Sequence, residues 1–147
     1  MRTLGIIFIA LAFAGAAVAG PLEEGVEAFD RGDYGTALRL LRPLAEKGNP
    51  DAQINLGNMY FDGNGVPQDY AESVSWYLLA ADQGNADAQI ALGFLYKYGE
   101  AMPFDYVQAY KWFDLAGSRS DRDTIATKMT PAQIAEAQKL AREWKPK

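Results

Sequence analysis

The residue types present limit the chemistry before any fold is considered. The chain has neither histidine nor cysteine, which removes the commonest general base, the thiol nucleophiles and the usual zinc and copper ligands. Carboxylates, Lys, Tyr, Ser and Thr remain, and no S-x-x-K, G-x-S-x-G or H-E-x-x-H motif organises them. The catalytic alternative is a hydrolase acting on cell-wall glycan with two carboxylates, such as Asp62 and Glu100 in the loops. No spacing positions that pair, and each reads more simply as a loop charge. The expectation is therefore a non-enzymatic protein with no catalytic residue, metal site or cofactor. Trp76 and Trp112 could stack on a ligand, but a tryptophan at the same place in two similar segments reads first as packing between helices.

Those two tryptophans belong to an internal repeat. Asp51 to Asn85 aligns without a gap onto Asp87 to Asp121, with 14 identities in 35 positions at an offset of 36 residues. A period of about 20–50 residues marks a stacked repeat architecture. Within each copy, Ala52, Leu56 and Tyr60 (then Ala88, Leu92 and Tyr96) fall at i, i+4 and i+8, one apolar stripe of a helix. Asp62-Gly63-Asn64-Gly65-Val66-Pro67 breaks the first helix of the pair. Asp69 is placed to cap a second helix over 70–83, and Gly84 to end it in a left-handed conformation. Gly57 and Gly93 fall inside helices, where glycine costs about 1 kcal/mol relative to alanine. Close approach of the paired helix accounts for both. A shortened copy comes first, with Tyr34, Leu40-Leu41, Leu44-Ala45 and Gly48-Asn49 in the places of Tyr70, Trp76-Tyr77, Ala80-Ala81 and Gly84-Asn85. After the repeats, residues 123–129 form one or two helical turns. Thr130-Pro131-Ala132-Gln133 then starts an amphipathic helix with a capping box, as arrays require to cover their last open face.

The first 19 residues read as an export leader: Arg2, an apolar run from Leu4, and Ala17-Val18-Ala19 as cleavage signal. The expected location is periplasmic or secreted, after cleavage behind Ala19, with no stable membrane insertion. The absence of cysteine leaves packing alone to hold the fold there. Removing Arg2 from 14 Lys+Arg leaves 13 against 19 Asp+Glu, a net charge of −6. Residues 20–118 hold 6 basic and 15 acidic residues, whereas 119–147 hold 7 basic and 4 acidic. An acidic body argues against nucleic acid, which needs clustered positive charge. Arg142, Lys145 and Lys147 suit the negative end of the last helix dipole. A weak homo-oligomer joined by acidic body and basic tail is the alternative use of this asymmetry.

The pattern A-x-x-x-L-G-x-x-Y-x-x-G-x-G-V-x-x-D, followed by W-Y-x-x-A-A, as it stands from Ala52 to Ala81, resembles the Sel1-like repeat, a relative of the tetratricopeptide repeat. The resemblance implies an all-α, right-handed α/α solenoid with a C-terminal capping helix. It divides the chain into a leader (1–19) and a repeat domain (20–147) with a partial repeat at 22–49, repeats at 50–85 and 86–121, and a cap at 122–147. The second loop departs at Ala101 and Met102, and the first copy has no long loop. Family members are mostly scaffolds and adaptors, which implies a protein or peptide partner.

In this type of superhelix the first helices line the concave side. Positions on them that differ between the copies are the expected binding residues: Asn55 and Ala91, Asn58 and Phe94, Phe61 and Lys97. Phe94 stands foremost, as an exposed aromatic on an otherwise polar face. Three first helices stacked about 10 Å apart give a trough of roughly 30 Å, enough for about nine extended residues.

Overall fold

The computed structural model describes residues 19–147. The expected leader therefore lies outside the described residues, apart from Ala19. Among them are eight α-helices and no strand: α1 (Pro21–Asp30), α2 (Tyr34–Glu46), α3 (Pro50–Asp62), α4 (Tyr70–Asp82), α5 (Ala86–Tyr98), α6 (Tyr106–Leu115), α7 (Arg119–Ala126) and α8 (Pro131–Glu143). The fold is an α/α solenoid. Helices pack as antiparallel neighbours in the order α1–α2, α3–α4 and α5–α6, with α2 on α3, α4 on α5, and both α7 and α8 on α6. None of these helices is long and apolar enough to cross a membrane.

Side-chain caps set where each helix begins. Asn49 and Asn85 accept the backbone N–H of Ala52 and Ala88, each at 2.9 Å, and proline at position 50 occupies the first turn of α3. Asp69 and Asp105 each accept two backbone N–H groups at the starts of α4 and α6. Thr130 and Gln133 form the expected capping box on α8. Gly63 and Gly99 end α3 and α5 at φ of 72° and 69°, a left-handed geometry that favours glycine.

Two loops of different sequence then close identically. Asp69 donates its N–H to Tyr60 O at 2.9 Å, and Asp105 donates its own to Tyr96 O at 3.0 Å. Gly65 takes a positive φ of 73°, whereas Ala101 does not, so the replacement of glycine by alanine changes the backbone locally and leaves the loop's closure intact. At Gly65 a methyl group would also meet Tyr34 Cβ at 2.7 Å, which ties this loop to the preceding repeat.

The core is a continuous series of small and large residues along the array. Ala37, Leu41, Ala52, Leu56 and Met59 fill the first section. Tyr77, Ala80, Ala88, Leu92 and Trp112 fill the second. Ala109, Phe113, Ile125 and Ala137 fill the end under the cap. Both interior glycines do what close packing asks. A Cβ on Gly57 would sit 2.5 Å from the Tyr77 ring, and one on Gly93 would sit 2.5 Å from the Phe113 ring. Gln53 and Gln89 are buried stitches between repeats, each donating Nε2–H to the last turn of the preceding helix, at Ala45 O and Ala81 O, both at 3.1 Å.

The basic end does more than complement a helix dipole. Lys147 turns back across the array, its N–H donating to Asp82 O at 2.8 Å and its Nζ to Asp82 Oδ2 at 2.7 Å.

Candidate functional site

The first helices carry two grooves. One, of about 290 Å³, lies between the C-terminal halves of α3 and α5 and is lined by Phe61, Tyr77, Ala91, Phe94, Leu95, Tyr98 and Glu100. The other, of about 490 Å³, runs between α1, α3 and the start of α5, with Leu22, Val26 and Ile54 as its apolar surface. Glu23, Glu27, Asp51 and Asp87 rim this second groove, and no basic residue lines it.

Aromatic contacts fix the shape of the first groove. Phe94 meets Phe113 edge-on, ring centroids 5.1 Å apart, and lies parallel to Tyr98 at 6.1 Å. Lys97 places Nζ 5.4 Å from the Phe94 ring and 4.9 Å from the Tyr98 ring, within the range of a cation–π contact. Phe61 rests on Tyr70 at 5.1 Å. Tyr98 is 60% exposed and presents the largest free apolar surface of the groove. The Tyr77 hydroxyl donates to Asn58, and burial pushes its pKa up from 10 to about 12.

The six residues expected from the repeat mismatches separate into three settings. Phe61, Ala91 and Phe94 share the aromatic groove, and Lys97 lies against its wall. Asn55 lines the acidic groove, its amide donating back to Asp51 O at 2.8 Å. Asn58 is engaged inside the repeat instead, accepting the Tyr77 hydroxyl at 2.6 Å.

Two premises are corrected here. Phe94 is not an exposed aromatic on a polar face; it is half-buried between Phe113 and Tyr98. The Asn58/Phe94 mismatch is half of a compensated exchange. Where the paired helix carries Tyr77, an amide receives its hydroxyl; where it carries Phe113, a phenyl ring replaces that amide and packs on it.

Tyr98 also lines the aromatic groove, and the same alignment pairs it with Asp62 as a further mismatch between the repeats. Asp62 and Glu100 are both exposed, and only Glu100 lines the aromatic groove. Among the described residues, no three acidic side chains converge closely enough to hold a metal ion. Trp112 is buried in the core, whereas Trp76 is only half-buried and packs against the core of the first section.

The two grooves offer shape, aromatic faces and negative charge. Comparison with known proteins agrees with the architecture. No curated protein matches the chain. A crystal structure of a protective antigen present in uropathogenic Escherichia coli strains, displaying an SLR fold, is 33% identical with a TM-score of 0.79. That match covers 84% of this chain but 29% of the antigen, so the present chain spans under a third of its length. A Sel1 repeat protein from Oxalobacter formigenes is 35% identical over 67% of this chain and 79% of its own, with a TM-score of 0.60. The model of the Sel1 repeat matches three times, at residues 20–49, 50–85 and 86–121. With three such units, each packing a glycine of its first helix against a side chain of its second (Gly25 on Leu41, Gly57 on Tyr77, Gly93 on Phe113), the chain belongs to the Sel1 repeat family.

Proposed function

We propose that this protein is an exported, non-enzymatic scaffold that holds a protein or short peptide along the face built by α1, α3 and α5, the concave face of the solenoid. Sel1 repeat proteins in general mediate protein–protein interactions, and this chain carries that architecture over most of its length. One observation supports this face above others: both grooves lie along α3 and α5, the acidic one at their N-terminal ends and the aromatic one at their C-terminal halves, so an extended segment following these helices can engage both. An apolar or aromatic side chain would enter beside Phe61, Phe94 and Tyr98. Basic residues would then face Glu23, Glu27, Asp51 and Asp87. Charge of this kind favours encounter with basic segments and makes binding sensitive to salt.

Selection from a peptide library tests the assignment. Enriched peptides should pair an apolar anchor with Lys or Arg. Their affinity should fall about tenfold in Tyr98→Ala and in Asp51→Lys. Tyr98→Ala is the informative variant, because that exposed ring can be removed without opening the core. Equal affinity in wild type and both variants would refute the groove assignment. Export is tested separately: the protein recovered from outside the cytoplasm should begin at Gly20.

A further inference from the structure

The repeat builds one further notch twice, on the flank formed by the ends of the second helices, away from the two grooves above. The first copy, of about 520 Å³, is lined by Ala45, Glu46, Gly48, Gln53, Trp76 and Leu79, together with Asp82, Gln83 and Lys147. Its counterpart one period on is Ala81, Asp82, Gly84, Gln89, Trp112 and Leu115. The frames match. Gly48 and Gly84 have φ of 96° and 91°, and Gln53 and Gln89 make the same 3.1 Å bond to the preceding helix.

What differs is occupancy. The second notch is covered by the chain's own tail: the Trp144 ring comes within 3.9 Å of a Cβ position on Gly84, and Lys147 clamps Asp82 through both its N–H and its Nζ. At Gly48 nothing lies within 4 Å of the same position. Exposure follows. Trp112 is 3% exposed and Leu115 half-buried, whereas Leu79 is 51% exposed and Trp76 half-buried. Lys147, paired with Asp82, also lines the first notch, but the tail places no aromatic ring over Gly48.

We infer that the first notch is a docking slot for a partner segment bearing an aromatic side chain and, three residues on, a lysine or arginine. The chain's own Trp144 and Lys147 show what the equivalent frame accepts. Trp76 and Leu79 supply the apolar bed for the aromatic ring. Glu46 stands where Asp82 stands one repeat later and receives the cation. Its present partner is Arg42 at 4.0 Å, a guanidinium already held by the Tyr60 hydroxyl at 2.6 Å, so the exposed Glu46 carboxylate is loosely paired and can be exchanged. The slot is independent of the α1–α3–α5 face.

The probe is a labelled peptide with the sequence of residues 142–147, R-E-W-K-P-K, titrated into the full chain and followed by fluorescence anisotropy. The expected result is saturable binding of one peptide per chain, weakened about tenfold or more by Glu46→Lys and by Leu79→Glu. Replacing the peptide's tryptophan with alanine should abolish binding. Tyr98→Ala should leave it unchanged, which separates this slot from the aromatic groove. Leu79 and Glu46 are surface residues, so a matching thermal melt confirms that each variant is folded. Absence of binding, or binding indifferent to both substitutions, would overturn the proposal. So would dimers of the full chain that vanish in Trp144→Ala, because the slot would then belong to a second copy.

Discussion

Replacing Gly93 by alanine should destabilise the protein even though alanine is the better helix former. A Cβ built on Gly93 lies 2.5, 2.7 and 2.8 Å from three atoms of the Phe113 ring. Ordinary carbon contacts lie near 3.5–4.0 Å, so the ring or helix must shift by about 1 Å. Phe113 is completely buried and has Phe94 against it, so it has no free end to swing away. Overpacking of this kind costs roughly 1–3 kcal/mol. The helix propensity gained returns about 1 kcal/mol. With the ring held on its other side, the cost falls in the upper half of that range, so a net loss of about 1–2 kcal/mol is expected, or a fall in melting temperature of roughly 3–10 °C at this chain length.

The control is Gly35→Ala. Gly35 lies in the first turn of α2 with nothing within 4 Å of its Cβ position, so that substitution should raise stability by about 0.5 kcal/mol. Urea unfolding followed by circular dichroism gives both values on one scale. Adding Phe113→Leu to Gly93→Ala should recover about 1 kcal/mol relative to the sum of the single changes. If Gly93→Ala melts at or above the wild-type temperature, close helix approach is not the reason for the glycine.

The Tyr77–Asn58 hydrogen bond predicts that Tyr77→Phe and Asn58→Ala each lose about 1 kcal/mol, with a favourable coupling between the two sites in a double-mutant cycle. Burial raises the Tyr77 pKa from 10 to about 12, so the folded state favours the neutral phenol. The stability this contributes is intact below pH 10 and is lost as pH rises towards 12, and Tyr77→Phe should flatten that alkaline decline in a pH-dependent urea titration. Asp105 caps α6 by accepting the N–H groups of Val107 and Gln108, so Asp105→Ala should cost about 1 kcal/mol of unfolding free energy. Asp105→Asn should retain most of it.

The repeat frame was legible because its signals are local or periodic. Caps at Asp69 and Thr130, the glycine stop at Gly84 and the helical stripe from Ala52 each depend on a few neighbouring residues, and the 36-residue echo fixes how the pairs stack. Gly57 and Gly93 could be read correctly because a costly residue repeated at one place requires a packing partner. The candidate groove was legible in part: Phe61, Ala91 and Phe94 do converge.

Other features depend on pairs far apart in the chain, which no local rule relates. Asn58 is explained only by Tyr77, nineteen residues on, and Phe94 only by Phe113 at the same separation. Comparing single positions between repeats cannot distinguish a compensated pair from a recognition site, because both appear as mismatches. The return of Lys147 to Asp82 spans 65 residues and turns an expected helix-end charge into a clamp between cap and repeat. Sequence alone thus determined the scaffold, since its caps, stripes and repeats are written in short range. Tertiary structure decided which surfaces stay open, because exposure depends on what the rest of the chain covers: Trp112 and Trp76 occupy one repeat position, and only the first is buried.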